Sequence, residues 1–157
     1  MNDATIWLRP EVMAQSQRLI TSFRACVGRD LIAASGDHEE DSKALFHAAF
    51  ALLSHGTQDD PILNYGNQTA LDLWEMDFAQ FTQMPSRLTA ELMLRDERQR
   101  LLEQAARQGY IDDYSGIRIS ARGKRFHISN VILWTVTDLD GRKCGQAAVF
   151  DQWQNVT

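Results

Sequence analysis

Apolar residues recur at three- and four-residue steps between Pro10 and Val27, a pattern that predicts an amphipathic helix. Pro10 suits the first turn of a helix, and Glu11 suits the positive end of the helix dipole. Gly28 suits the C-terminal stop, because glycine adopts the left-handed conformation that often ends a helix. The first predicted element is therefore one long helix with a single apolar stripe.

The polar sequence SGDHEEDS, residues 35–42, follows this helix and is predicted to be a loop. It is the best candidate for a boundary along the chain. We therefore expect an N-terminal helical extension over residues 1–40 and a single domain over residues 41–157.

The middle of the chain predicts two short strands followed by helices. Phe50–His55 is the first strand, and Ile62–Tyr65 is its partner in a hairpin closed by the turn GTQDD. Two short helices are predicted between Asn67 and Pro85, because apolar residues recur there at helical steps and proline stops a helix. Strong helix formers predict a longer helix over Asp96–Gln108, which a glycine ends.

From Tyr110 onward the hydrophobic period changes to two, which predicts three antiparallel strands joined by tight turns. The first strand carries Ile117 and Ile119, and the third runs from Cys144 to Phe150. In the long middle strand, five apolar residues share one parity and are expected on one face: Phe126, Ile128, Ile132, Trp134 and Val136.

Val131 and Leu133 make this middle strand apolar on its other face as well, so both faces of the sheet need a cover. The central helices should cover one face, and either the N-terminal helix or a second subunit should cover the other. The pattern as a whole predicts an α+β fold: five antiparallel strands, short helices on one face, and an N-terminal helical extension.

Composition narrows the class of protein. The 157 residues carry a formal net charge of −5, which argues against binding to a nucleic-acid backbone. No apolar run is long enough to cross a membrane, and the N-terminus lacks the pattern of a secretory signal. We therefore expect a cytoplasmic protein, in which Cys26 and Cys144 are free thiols and not a disulfide.

Five stretches of the chain resemble the MEKHLA domain, a PAS-like family found alone in bacteria and at the C-terminus of plant class III homeodomain–leucine-zipper proteins. The resemblance extends from about Ala44 to Trp153. The stretches are ALFHAAFALLSHG (44–56), DPILNYGNQTALDLWEM (60–76), PSRLTAE (85–91), QGYIDDYSGIRISARGKRF (108–126) and VILWTVTDLDGRKCGQAAVF (131–150).

This resemblance implies a PAS-like fold that either holds a small molecule between sheet and helices or holds none and mediates protein contacts. A flavin photoreceptor of this fold would place a reactive cysteine on the short central helices, and the chain has no cysteine between Pro61 and Arg107. A haem sensor often binds iron through a histidine on the longer helix, and Asp96–Gln108 contains none. Covalent flavin chemistry and this haem ligation are disfavoured, and the cofactor is unknown.

The titratable residues indicate neither a metal site nor catalysis. The four histidines show no HxxxH or HxH spacing, and a transition-metal site needs three or four converging ligands. The adjacent pairs Asp59-Asp60 and Asp112-Asp113 are typical of turn carboxylates, because neighbouring side chains in an extended chain point apart. We therefore predict that the protein is not an enzyme and binds no metal.

Aromatic and polar residues are the candidates for a ligand-binding site. The aromatic ones either pack in the core or line a cavity beneath the helices, and the polar ones would orient a ligand there. Asn67 is a further polar candidate, although it would equally cap the helix that begins at Gln68. The predicted ligand-binding residues are Asn64, Tyr65, Trp74, Phe81, Tyr114, Arg118, Trp134 and Gln146.

The sequence thus predicts a stand-alone sensory module for signal transduction that binds a small, largely apolar molecule and signals through a protein partner. Two alternatives stay open: a ligand-free interaction or dimerisation module, and a small enzyme on an α+β scaffold. The N-terminal helix either folds back on its own sheet or pairs with its copy. Because helices ahead of PAS-like domains often dimerise, we favour a homodimer, with neither nucleic acid nor membrane among the partners.

Overall fold

A computed structural model describes residues 5–89 and 95–156 of the chain. The first four residues of the expected extension and the last two of the stretch PSRLTAE therefore lie outside the described residues. The helices are α1 (Pro10–Val27), α2 (His38–Phe46), α3 (Gln68–Trp74), α4 (Phe78–Phe81) and α5 (Arg95–Gln108), with 3-10 helices η1 (Ile6–Leu8) and η2 (Ser86–Thr89). The strands are β1 (Ala51–His55), β2 (Leu63–Gly66), β3 (Tyr110–Ile119), β4 (Arg125–Thr137), β5 (Lys143–Phe150) and β6 (Gln152–Asn155).

Helix α1 has the bounds that its sequence predicts. Pro10 lies in the first turn, and Gly28 ends the helix in the left-handed conformation with φ of 84°. Its buried side is the apolar stripe expected from the sequence, which includes Val12, Leu19 and Phe23.

The expected loop over residues 35–42 is wrong, because α2 begins at His38. The Asp37 carboxylate caps this helix by accepting hydrogen bonds from the backbone N–H groups of Glu39 and Glu40. A second carboxylate, Asp41, is only 4% exposed and accepts from the backbone N–H and hydroxyl of Ser35. Helix-capping chemistry thus explains a polar stretch whose hydrophobic pattern is too weak to predict a helix.

The strands form one antiparallel sheet in the order β2-β1-β5-β4-β3. The five expected strands are present, and the hairpin of β1 and β2 is confirmed. The short strand β6 is additional: it follows β5 after Asp151 and pairs with the first part of β4, Phe126–Ser129. Strand β4 is therefore long enough to pair with β5 and β6 in succession along one of its edges.

Helix α1 covers one face of this sheet. The Trp134 indole packs edge-on against Phe23, with ring centroids 4.9 Å apart, and its Nε1 donates to the Ser22 hydroxyl at 2.9 Å. The Gln15 amide donates to the hydroxyl of Ser54 on β1, 3.2 Å away. Of the two covers considered for this face, the structure therefore shows the N-terminal helix of the same chain.

The single parity expected for β4 is wrong, because the strand changes face at Asn130. Phe126 packs against Trp74 of α3, with ring centroids 5.1 Å apart, whereas Trp134 packs against α1. Both residues have even numbers, so the alternation shifts between them. Asn130 has φ of 54°, a left-handed conformation that asparagine tolerates better than most residues, and it accounts for the shift.

Asn67 joins the central helices to the sheet. Its side-chain oxygen accepts from the N–H of Ala70, which caps α3, and from the N–H of Leu52 on β1. Its amide donates to the carbonyl oxygens of Leu45 and Phe50. The residue is fully buried, and the capping role considered from the sequence is confirmed.

Candidate functional site

A cavity of about 550 Å³ lies on the face of the sheet opposite α1, between strands and helices. The sheet forms its floor, and α3, η2 and α5 contribute to its walls. The floor side chains are mostly apolar: Leu53, Leu63, Ile128, Val131, Leu133, Ala148 and Phe150. The helices add Trp74, Leu88, Thr89, Leu101 and Leu102.

Trp74 is the large side chain at the helical side of this cavity, and its position is well defined. Its indole Nε1 donates to the carbonyl oxygen of Thr89 at 3.2 Å, which links α3 to η2. Its ring also packs edge-on against Phe126. The side chain is 1% exposed, so the indole forms a buried part of the cavity wall.

Strand β3 places one cation in the cavity. The Arg118 guanidinium donates through Nη2 to the Tyr114 hydroxyl at 3.1 Å and through Nη1 to the carbonyl of Ile117 at 3.2 Å. It also lies 5.2 Å from the centroid of the Tyr114 ring, a cation–π distance. Two neutral oxygens and one aromatic ring therefore hold this half-buried charge.

Gly116 makes room for this arrangement. It lies between Tyr114 and Arg118 on β3, and a Cβ atom there would be 2.7 Å from the Tyr114 hydroxyl and 3.3 Å from Arg118 Nη1. Both distances are shorter than ordinary van der Waals contacts. The absence of a side chain at this position lets the phenol and the guanidinium approach each other over the strand.

Gln146 and His55 add polar groups on β5 and β1, where they are direct partners in the antiparallel ladder. The His55 Nδ1 lies 2.8 Å from the carbonyl oxygen of Gly56. Ser86 and Arg87 of η2 also line the cavity, and Arg87 forms an exposed ion pair with Asp60 at 3.2 Å. The titratable groups along the described lining are thus two arginines, one histidine and one tyrosine.

Four of the eight predicted ligand-binding residues line this cavity: Trp74, Tyr114, Arg118 and Gln146. The other four lie elsewhere. Trp134 faces α1, and Phe81 is fully buried beside Gly66, whose missing Cβ would lie 2.6 Å from its ring. Asn64 is exposed at the sheet edge, where its side-chain oxygen accepts from the Ser54 hydroxyl.

Tyr65 packs within the core, with its ring centroid 6.4 Å from that of Phe78. Burial raises the pKa of its hydroxyl far above the ordinary value of 10.0, and the neighbouring Ser16 side chain opposes this shift more weakly. Tyr65 and Trp134 show why strand alternation alone misleads here: β2 has an irregular register next to Tyr65, and β4 changes face before Trp134.

Several lining residues were not anticipated. On β5, Ala148 and Phe150 share the parity of Gln146, so period-two counting from that residue would have found them. The residues of η2 carry no comparable signal, because a 3-10 turn after Pro85 is too short for a hydrophobic period. Leu101 and Leu102 belong to the predicted longer helix, but a helical period alone does not show that they line a cavity.

The described residues contain no group of three or more His, Cys, Asp and Glu side chains that could hold a metal ion. Both cysteines are free and half-buried, as expected. The Cys26 thiol donates to the carbonyl of Thr135 at 3.6 Å, and burial raises its pKa. Across the described helices, none is both long and apolar enough to cross a membrane.

A model of the MEKHLA domain matches residues 13–155. The match therefore includes most of α1 and begins well before Ala44, where the resemblance in the sequence starts. No curated protein sequence matches the chain.

Solved structures share the architecture. A PAS domain from a Colwellia psychrerythraea protein superposes with a TM-score of 0.59 at 11% identity, covering 76% of this chain and 96% of that one. A PAS domain from a two-component sensor histidine kinase gives 0.54 at 16%, covering 73% and 91%. An RNA-binding light-oxygen-voltage receptor gives 0.62 at 20%, covering 78% of this chain and 36% of that receptor. The PAS-like α+β fold expected from the sequence is confirmed.

Proposed function

Because this chain belongs to the MEKHLA domain family, we propose that it is a PAS-like sensory module that binds a small, largely apolar molecule and passes its occupied state to a protein partner. The observation that carries the proposal is the cavity of about 550 Å³ between the sheet and the helices. That volume lies within the range of small-molecule sites, and its mainly apolar walls with few polar groups are typical of them.

The character of the walls supports a bound molecule over a water-filled space. Val131 is fully buried and Ile128 is 1% exposed, so the floor is a continuous apolar surface. Trp74, Tyr114 and Arg118 are held by the hydrogen bonds described above, which gives the site a preformed shape. A preformed apolar site gains affinity from desolvation without the cost of ordering its side chains.

The structure also offers a route from the cavity to the opposite face of the sheet. Val131 and Leu133 of β4 line the cavity, and their neighbours Ile132 and Trp134 lie toward α1. A ligand that displaces the β4 backbone therefore also displaces the contacts of α1. In the proposed function, the exposed side of α1 is where a partner detects occupancy.

The two alternatives predict different cavities. A ligand-free interaction module needs no ligand-sized space, so the presence of one favours the sensory function. A small enzyme would be expected to gather carboxylates or a perturbed histidine in a polar cavity, whereas this cavity is mainly apolar with two arginines. Binding without chemistry is therefore the function that the site supports best.

The test is mass spectrometry of the freshly purified protein under native and denaturing conditions, with an absorption spectrum alongside. The expected result is an additional mass per subunit that is lost on denaturation. Ala148→Trp should remove the additional mass, because the new indole fills the cavity. Ala121→Trp, at an exposed position, is the matched control and should retain it. Equal masses and no ligand after exposure to cell extract would overturn the proposal in favour of an interaction module.

The native mass also tests the predicted homodimer. Helix α1 folds onto the sheet of its own chain, so a dimer would have to use the outer side of α1 or another surface. A mass of two chains at micromolar concentration is the expected result, and a single chain would contradict it.

A further inference from the structure

We propose, building on the sensory function above, that the ligand is an amphiphilic anion: an apolar body that carries a carboxylate or a similar oxyanion, which binds Arg118. This names the chemical class of the ligand and the residue that selects it.

Arg118 carries a charge that the described residues do not neutralise. The ion pairs in the described parts of the chain join Arg24 to Asp30 and Arg87 to Asp60, and Arg118 takes part in neither. Its two hydrogen bonds go to neutral oxygens. A guanidinium has five N–H donors in a fixed fork, so further donors are available for a planar oxyanion.

The charged side chains of the described cavity lining are positive, opposite in sign to the net charge of the whole chain. The formal net charge of the protein is −5, yet the charged side chains that line the described cavity are Arg87 and Arg118. Arg87 is paired with Asp60 at the exposed rim, which leaves Arg118 as the inner cation. Partly desolvated charge in an apolar site attracts a counter-ion strongly, because the low local dielectric weakens screening.

The apolar surface lies where the rest of such a ligand would extend. Arg118 is on β3, at one edge of the sheet, and the floor continues through Val131 and Leu133 on β4 to Ala148 on β5. Leu101 of α5 also lines this space. A molecule with its anion at β3 and its hydrocarbon over β4 and β5 would satisfy both halves of the site.

Tyr114 and Gly116 position the cation. The tyrosine hydroxyl accepts from Arg118, and the missing side chain at residue 116 lets the two groups lie close together. These contacts hold the guanidinium in one orientation before a ligand binds, which lowers the entropic cost of binding. A lysine at this position would keep the charge but lose the planar fork.

The test uses two fluorescent probes with the same ring system, 8-anilinonaphthalene-1-sulfonate, which is an anion, and N-phenyl-1-naphthylamine, which is neutral. Each is titrated into the wild-type protein, Arg118→Gln, Arg118→Lys, the second lining arginine variant Arg87→Gln, and the control Arg24→Gln, which removes an exposed, ion-paired arginine of α1 outside the cavity. We expect Arg118→Gln to lower the affinity for the sulfonate probe by about tenfold or more, because a hydrogen bond to a charged group is lost. The affinity for the neutral probe should change by less than about twofold. Arg118→Lys should lower the affinity for the sulfonate probe by an intermediate amount.

The outcomes separate this inference from the function on which it rests. In one outcome, both probes bind and Ala148→Trp abolishes their binding, but Arg118→Gln leaves the ratio of their affinities unchanged. That result would overturn the proposal of an anionic ligand and leave the proposed sensory cavity intact. If Arg87→Gln and not Arg118→Gln weakens the sulfonate probe, the inference is overturned as well. If Ala148→Trp affects neither probe, both proposals fail. Urea unfolding of each variant shows whether a loss of binding comes from loss of the fold.

Discussion

The indole nitrogen of Trp134 donates a 2.9 Å hydrogen bond to the hydroxyl of Ser22, joining β4 to α1 across 112 residues of sequence. Both residues are almost completely buried, and the Phe23 ring lies beside the indole. This contact fixes α1 on the sheet at one register, because an indole N–H without a partner in an apolar layer carries the full cost of desolvation.

Ser22→Ala should lower the free energy of unfolding by about 1–3 kcal/mol, because it leaves the Trp134 N–H buried without an acceptor. Urea denaturation at pH 7 measures the change, with an unaltered m-value indicating that the folded state is otherwise intact. Thr21→Ala is the matched control, since that hydroxyl is exposed on the same helix; a change there equal to that of Ser22→Ala would contradict the explanation.

Asn67→Ala should cost more, about 3–4 kcal/mol, because one side chain caps α3 and also satisfies one donor and two acceptors around it. Asn67→Asp keeps the accepting oxygen but turns a second carboxylate oxygen toward the two carbonyls in a fully buried site, so it should cost at least as much as the alanine variant. Asp77→Ala removes an exposed cap from α4 and should cost about 1 kcal/mol. Equal losses for Asn67→Ala and Asp77→Ala would show that burial of the cap has no effect.

Gly145→Ala should be the most damaging glycine substitution in the sheet. Gly145 has φ of 152°, and a Cβ atom there would overlap the backbone carbonyl oxygen of His55 on the adjacent strand. We expect a loss of about 3 kcal/mol or more in the free energy of unfolding. Gly123→Ala provides the comparison, because φ is 84° but no atom lies within 4 Å; there the cost should be about 1 kcal/mol. A smaller loss at Gly145 than at Gly123 would be inconsistent with the clash.

Stability should fall as the solution becomes strongly alkaline, and Tyr65 should contribute to the fall. Burial raises the pKa of its hydroxyl above the ordinary value of 10.0, so the unfolded chain releases this proton at a lower pH than the folded one. The native state is therefore favoured fully below pH 10 and progressively less above it. Tyr65→Phe should reduce the slope of unfolding free energy against pH between about 10 and 11. Identical slopes for the two proteins would refute the assignment to Tyr65.

Local signals in the sequence predicted most of the elements. The bounds of α1 follow from Pro10, Gly28 and a regular apolar stripe, and β1, β2 and β5 follow from alternation and turn residues. Helix α2 was missed because its stability depends on the Asp37 cap and on a buried, hydrogen-bonded Asp41. A hydrophobic pattern contains no information about helix caps or buried hydrogen bonds.

The candidate site was harder to predict than the fold, for a geometrical reason. Trp74 and Gln146 line the cavity because α3 and β5 are regular between the turn residues that define them. Trp134 lies on the opposite face because the left-handed backbone at Asn130 shifts the alternation, and an asparagine in a strand gives no sign of its φ angle in advance. The described lining also brings together side chains from five strands and three helices, and this depends on tertiary packing, which no local period encodes.

The position of β5 in the middle of the sheet has a consequence for how the protein is made. Strands β1 and β2 form one pair and β3 and β4 form another, and among the described strands β5 alone joins the two pairs. Residues 143–150 are synthesised after both pairs, so we expect the two pairs to lack a common ladder until β5 has left the ribosome. We therefore expect folding to end with the insertion of one late strand between two earlier pairs, because before that step the apolar stripe of α1 has no complete sheet to cover.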